Sequence, residues 1–234
     1  MSILTMIQDC CNVIGIDSPN TVIGNVDRQI SQLLALANKT GESLAREPFQ
    51  SLNLEATFTT VATESQGAVS TIAPGFKYII NETIFNRDLK RPVFGPLSPQ
   101  RWQQLKAANI NGPWNQFRIR AGNIIFIPAP AAGQHCYFEY RSKNWATDST
   151  GVTTKEKFSV DTDLILFDEG LFKLALIWRW KHAKTLDYAE DFAEYQRVLL
   201  DELARDGGKD RINLTGEEYL YRPAIMVPEG SWSI

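Results

Sequence analysis

The spacing of apolar residues changes character at Pro48 and changes back at Asp161. No single regular element type suits both spacings, so the chain must combine helical and strand-built parts. Before Pro48 the apolar residues recur at steps of three and four. Ile3, Leu4, Ile7, Cys10, Cys11 and Ile14 predict a helix over residues 2–15, stopped by Gly15. Asp17-Ser18-Pro19-Asn20 reads as a new start, a capping polar residue with proline in the first turn. Val22, Ile23, Val26, Ile30, Leu33, Leu34, Ala37 and Leu44 then form one stripe, predicting a second helix to about Glu47. Helices joined by so short a loop pack antiparallel.

From Pro48 the texture is that of strands. Leu54–Thr63 is rich in Thr, Phe and Val, and Ala68–Ile72 and Lys77–Ile80 read as further strands, separated by Gly67 and Pro74-Gly75. Ser98-Pro99 caps a short helix bearing Trp102 and Leu105, closed by Gly112-Pro113. Gln116–Arg120 and Asn123–Ile127 predict a hairpin around Ala121-Gly122, interrupted by Pro128 and Pro130. Gln134–Ser142 is another strand with Cys136, Phe138 and Tyr140 on one face, and Phe158-Ser159-Val160 is expected to close the sheet.

Helical spacing returns with Asp161 or Asp163 capping an apolar segment, Leu164 to Trp180. Lys181, His182 and Lys184 at its end suit a helix C-terminus. Trp178 and Trp180, two apart, face different ways: one is expected in the helical core, the other against the insert or a neighbouring chain. A fourth helix from about Asp187 carries the stripe Tyr188, Phe192, Tyr195, Leu199 and Leu203 and ends at Gly207-Gly208. The expected fold is α+β. Helix pairs 1–48 and 161–206 join into a four-helix bundle, 49–160 forms a β-rich, sandwich-like insert, and 207–234 is an extended C-terminal arm.

Composition narrows the function classes. The chain has 234 residues with 24 basic and 27 acidic side chains, a net charge of −3, which argues against a dedicated DNA-grasping protein. No basic segment precedes an apolar one at the N-terminus and no apolar run is long enough to span a bilayer, so a soluble cytoplasmic product is expected. Cys10, Cys11 and Cys136 are expected reduced and buried. No nucleotide-binding, zinc or serine-hydrolase motif is present. A His135–Cys136 dyad fails because neighbours on a strand face opposite ways. Asp161 and Asp163 resemble the start of a calcium loop, but Leu166 stands where that loop needs glycine. No catalytic residue, cofactor or metal site is expected, and the chain is read as a non-enzyme.

The last residues carry Ile212, Leu214, Tyr219, Leu220, Tyr221, Ile225, Met226, Val227 and Trp232 without helical or strand period along their length. A disordered tail is depleted in such residues. They read either as a segment wrapping its own domain or as an arm that orders on another subunit.

The stretch FNRDLKRPVFGPLSPQRWQQLKA, Phe85 to Ala107, holds three prolines in eight residues, Pro92, Pro96 and Pro99, and no His, Cys or phosphate-cradling loop. It reads as a shaped connector. Its residues Arg87, Pro92, Phe94, Gly95, Pro96, Ser98, Trp102 and Leu105 resemble a motif of the head-to-tail adaptor proteins of short-tailed, podovirus-like phages, also called tail accessory or tail tubular proteins. The resemblance extends over most of the chain: helix pair, β-rich insert, long C-terminal helices, extended tail.

That resemblance implies a structural virion protein, assembled in the host cytoplasm and located in the neck and tail. It implies a ring, typically a dodecamer, bound beneath the portal protein, which extends the DNA channel and offers a platform for the tail nozzle protein. It makes Tyr219, Leu220, Tyr221, Ile225, Met226, Val227 and Trp232 the portal-binding arm, and residues 85–107 an elbow with Trp102 and Leu105 buried and Gly95 in a turn. Duplex DNA would pass without specific binding. From Asp187 to Asp206 seven acidic residues face only Arg197 and Arg205, so Glu190, Glu194 and Glu202 are candidates for a channel-facing surface, beside the simpler reading of a solvated helix face. The alternatives are another tail subunit, nozzle or fibre-attachment, and a tail-associated cell-wall glycosidase.

Overall fold

The computed structural model describes residues 1–108, 112 and 114–206, and the expected arm 207–234 lies outside them. In chain order the elements begin with α1 (Ile3–Ile14) and α2 (Arg28–Leu44), then a 3-10 turn at Gln50–Leu52. Next come β1 (Asn53–Thr59), β2 (Ser65–Ala68), α3 (Val69–Ile72), β3 (Phe76–Ile79), β4 (Phe85–Asn86), β5 (Arg91–Pro92) and α4 (Pro99–Ala108). After these follow β6 (Gln116–Arg120), β7 (Asn123–Ile127), β8 (His135–Ser142), β9 (Ala146–Thr147), β10 (Thr154–Lys155) and β11 (Leu164–Ile165). The last two are α5 (Glu169–Ala183) and α6 (Ala189–Asp206). The fold is mixed α+β. Among the described residues, no helix is long and apolar enough to cross a membrane.

The chain divides into two compact units. One holds Met1–Leu54 and the chain from Arg141 through α6; the other is the continuous Glu55–Tyr140. Residues 141–160, within the expected insert, therefore cluster with the helices.

In the helical unit α5 is the hub, packing against α1, α2 and α6. Ile3, Met6, Ile7 and Cys10 of α1, Leu33, Ala37 and Leu44 of α2, and Leu171, Phe172, Leu176 and Trp180 of α5 form its buried core. Ser2 caps α1 through the Thr5 N–H at 3.3 Å, and Gly15, at φ 75°, ends it. Gly41 lets the Trp145 ring lie on α2, since a Cβ there would sit 2.4 Å from that ring. Trp145 meets Phe158 edge-on at 4.8 Å. Arg141, buried, donates to the carbonyls of Glu47 and Phe49.

Several expected elements are displaced. The second helix starts at Arg28, not near Pro19. Asp27 caps it, accepting the Gln29 N–H at 2.7 Å. The preceding loop is held by the Asp161 carboxylate, which accepts the N–H groups of Val22 and Ile23 at 3.1 and 2.7 Å. Val26 is 99% exposed and leaves the stripe. Neither Asp161 nor Asp163 caps α5; Asp168 does, through the Leu171 N–H at 2.7 Å. The expected start of that helix, Leu164–Ile165, is instead a strand on β9, in a small sheet ordered β10-β9-β11. Phe158-Ser159-Val160 closes no sheet: Phe158 is buried beside Trp145 and Phe172. Trp180 does fill the core, while Trp178 packs on Phe192 and Tyr195 of α6, not on the insert.

The second unit contains two sheets. One has the order β1-β8-β4-β5 with β3 also on β8; the other is β2-β7-β6. The β6–β7 hairpin turns at Ala121 and Gly122, both at positive φ (49° and 75°), as a two-residue turn matching strand twist requires. Phe58 meets Phe126 and Phe138 edge-on at 5.9 and 6.1 Å in the core. The expected strand Ala68–Ile72 is helical at all but its first residue: β2 ends at Ala68 and Val69–Ile72 forms one turn, its Val69 N–H bonded to the Gly122 carbonyl at 2.8 Å.

Candidate functional site

The connector begins on the larger sheet. Phe85 and Asn86 of β4 pair with Tyr137 and Cys136 of β8 on one side and with Pro92 and Arg91 of β5 on the other. The turn between is fixed by its polar side chains. Asn86, buried, donates to the Gln134 side chain at 2.8 Å and accepts the Leu89 N–H at 3.0 Å. The Arg87 guanidinium lies 3.5 Å from the Tyr137 ring centroid and bonds Glu55 at 3.0 Å. Asp88 accepts the His135 backbone N–H at 2.7 Å and contacts its ring Nδ1 at 2.9 Å. These hydrogen bonds, the backbone one foremost, hold the Asp88 carboxyl below its usual range.

The prolines then lead the chain to the second sheet. Phe94 accepts the Phe117 N–H at 2.8 Å, and the Leu97 N–H donates to the Phe117 carbonyl at 2.9 Å. Gly95 and Pro96 lie between these bonds, and proline has no N–H to leave unmet. Gly95 is not in a turn. It sits at φ 149°, where a Cβ would come within 2.5 Å of the Phe117 carbonyl oxygen. The segment thus covers the edge of β6 as closely as a backbone can.

Ser98 starts α4, accepting the Arg101 N–H at 3.2 Å, and Pro99 occupies the first helical position. Trp102 is 1% exposed. Leu105 is only half-buried, lining a shallow depression with Glu64, Lys106, Phe126 and Pro128, because α4 turns that face outward. Lys106 and Glu64 form an ion pair across it.

Phe94 and Trp114, missed as a pair in the sequence, stand edge-on at 5.8 Å and are 41% and 40% exposed. The Arg91 guanidinium lies 5.6 Å from the Trp114 ring. Trp114 follows Gly112-Pro113, and only the fold carries it to Phe94.

On α6 the exposed acidic row consists of Glu190, Glu194 and Asp201. Glu202 is turned aside, half-buried and bonded to Arg205 at 3.1 Å. Eleven residues on a helix return within about 20° of the starting direction, which aligns Asp201, not Glu202, with Glu190. Asp191 is committed to Lys181 at 2.6 Å and Asp206 to the Gln50 N–H.

Cys136 and His135 face opposite ways. The Cys136 thiol is buried and pushed up to about 12, by burial first and the Asp88 charge second. Cys10 is likewise raised to about 12 by burial. All three cysteines are free and buried. Among the described residues no group of His, Cys, Asp or Glu is arranged to hold a metal ion. Asp163 has no exposed surface and accepts from Lys155 at 2.6 Å and from the N–H groups of Ser159 and Val160 at 2.7 and 3.0 Å. The arm residues Tyr219, Leu220, Tyr221, Ile225, Met226, Val227 and Trp232 lie outside the described residues. Compared with known protein families and with curated proteins, the chain finds no match.

Proposed function

We propose that this chain is a structural virion protein, the head-to-tail adaptor of a short-tailed phage. In this reading copies assemble as a ring, a dodecamer, beneath the portal and carry the tail nozzle. The four long helices gathered on α5 act as the bundle that packs around the ring. Residues 219–232 are the portal-binding arm, and genomic DNA passes through the channel.

One observation supports this above the others. In the stretch that resembles the adaptor motif, Asn86, Arg87 and Asp88 are engaged in tying the connector to neighbouring strands, and Ser98 in capping α4. Beside it stands a half-exposed aromatic pair, Phe94 of the connector and Trp114 beyond it, with the Arg91 guanidinium 5.6 Å from the Trp114 ring. Tryptophan and arginine are the residue types that dominate protein–protein contacts, and a surface of this kind suits a joint between subunits.

The test is co-sedimentation with purified portal rings of a short-tailed phage. The free chain is expected as a monomer or small oligomer that pellets with portal rings. A variant lacking Tyr219–Ile234 is expected to keep its circular-dichroism spectrum and stay in the supernatant. Failure of the full-length chain to pellet overturns the adaptor reading; pelleting of the shortened chain overturns the role of the arm alone.

A further inference from the structure

In the helical unit, cations that are drawn out of water are met by an acceptor. Lys155 pairs with Asp163 at 2.6 Å, Lys181 with Asp191 at 2.6 Å and Lys173 with Asp9 at 3.3 Å. The buried Arg141 guanidinium donates to the Glu47 and Phe49 carbonyls. Such partners offset the lost hydration of the charge. Arg179 of α5 breaks the pattern. It is half-buried, and its Nε–H is enclosed with no acceptor. Among the described residues it makes no ion pair and no hydrogen bond.

What supports Arg179 is an aromatic surface. Its guanidinium lies 4.7 Å from the centroid of the Trp178 ring, within reach of cation–π attraction. That ring is itself wedged against α6, 4.9 Å from Phe192 and 5.9 Å from Tyr195. The stacking holds the plane of the guanidinium, and of its nitrogens only Nε is shut in, so the terminal N–H groups are the accessible edge. Tyr195 is 7% exposed, and its O–H also has no partner among the described residues. Burial lowers the Arg179 guanidinium from its usual value and raises the Tyr195 phenol, and the two groups are near enough to act on each other. The phenol therefore stays protonated and can donate.

We propose that the Arg179 guanidinium and the Tyr195 O–H form a binding site for a single carboxylate group. The open edge of a guanidinium presents two parallel N–H donors, spaced to match the two oxygens of a carboxylate, and a stacked guanidinium loses little freedom on binding. The phenol supplies a further donor to the same anion. The site has one cation, which balances one negative charge. Residues 1–54 and 141–206 carry 18 acidic and 13 basic side chains, a surrounding that repels phosphate dianions and nucleic-acid backbones. Two sources offer this chemistry, a small organic acid and an acidic side chain of a second copy of the chain. The site stands whether or not the adaptor reading does.

Magnetic resonance of arginine Nε–H groups in the full-length chain tests it. The Arg179 signal is identified by its loss in Arg179→Lys, and sodium acetate is titrated against sodium chloride at equal ionic strength. The Arg179 signal is expected to shift with acetate and to saturate at a concentration at least about tenfold lower than the signals of the exposed Arg28 and Arg46, as a two-point bond to a fixed guanidinium requires. Tyr195→Phe is expected to raise the saturating concentration. Movement of Arg179 in step with Arg28 and Arg46, or equal movement with chloride, overturns the proposal; an unchanged titration in Tyr195→Phe overturns the part given to the phenol. A dilution series without acetate separates the sources. A shift along the acetate direction as protein concentration rises assigns the carboxylate to a second copy, and a constant signal assigns it to a small acid.

Discussion

Trp102 and Asp163 are both buried, one apolar and one charged, and each gives its own test. Removing the fully buried Trp102 indole leaves a cavity. Trp102→Ala is expected to cost about 3–5 kcal/mol in urea unfolding. A loss below about 1 kcal/mol would mean that the ring is not packed as described. Asp163 behaves through its proton. Burial opposes its charge, but Lys155 and the two backbone N–H groups outweigh burial and hold the carboxyl below its usual range. The unfolded carboxyl then binds a proton more readily than the folded one. Its stabilising effect is complete above the unfolded pKa of about 4 and is lost as pH falls through the lower folded value. Unfolding midpoints measured from pH 6 down to pH 2 should therefore fall more steeply for the unaltered chain than for Asp163→Asn. Parallel slopes would show that this carboxyl does not carry the effect.

At the scale of elements the connector depends on one backbone contact. Gly95→Ala places a methyl against the Phe117 carbonyl and ring, at a φ that side chains rarely adopt. It is expected to cost at least about 1 kcal/mol and to raise exchange at the Phe117 and Leu97 amides; an unchanged pattern there would mean that β6 is not covered. The sequence showed Pro96 and Gly95 as punctuation but not what they lie against, because an edge cover is a long-range pairing. The same limit explains the other differences. Val22, Ile23 and Val26 have helical spacing, yet a carboxylate from residue 161 takes the N–H groups that a helix would use. Leu164–Ile165 belongs to an apolar run that suits a helix or a buried strand equally, and β9 decides. Where signals were local they held: Gly15 after α1, the Ala121-Gly122 turn, and the alternation of Cys136, Phe138 and Tyr140. Of the candidate site, the short helix that ends the connector and its buried Trp102 were legible, while the two-residue strands β4 and β5, the Phe94–Trp114 pair and the Glu190–Glu194–Asp201 row needed the fold.

For the molecule as a whole, charge bears on the proposed passage of DNA. With a net charge of −3 and an exposed acidic row on α6, the free protein is expected to let duplex DNA pass through a filter or gel unretained at physiological salt. Changing Glu190, Glu194 and Asp201 together to Lys should leave the helical spectrum intact and create retention that weakens steeply with added salt. Retention by the unaltered chain would sink the picture of DNA sliding past this surface. The division into units has a consequence for synthesis. Residues 55–140 are continuous and can fold as they leave the ribosome, whereas the helical unit is assembled from both sides of them. At a synthesis rate of about 5–20 residues per second, α1 and α2 wait on the order of ten seconds for α5, the helix on which both pack. Throughout that interval Ile3, Ile7, Leu33 and Leu44 have no native cover. The nascent chain therefore presents its stickiest surface before the helix that hides it exists, and the N-terminal helix pair is where a holding chaperone has most to bind.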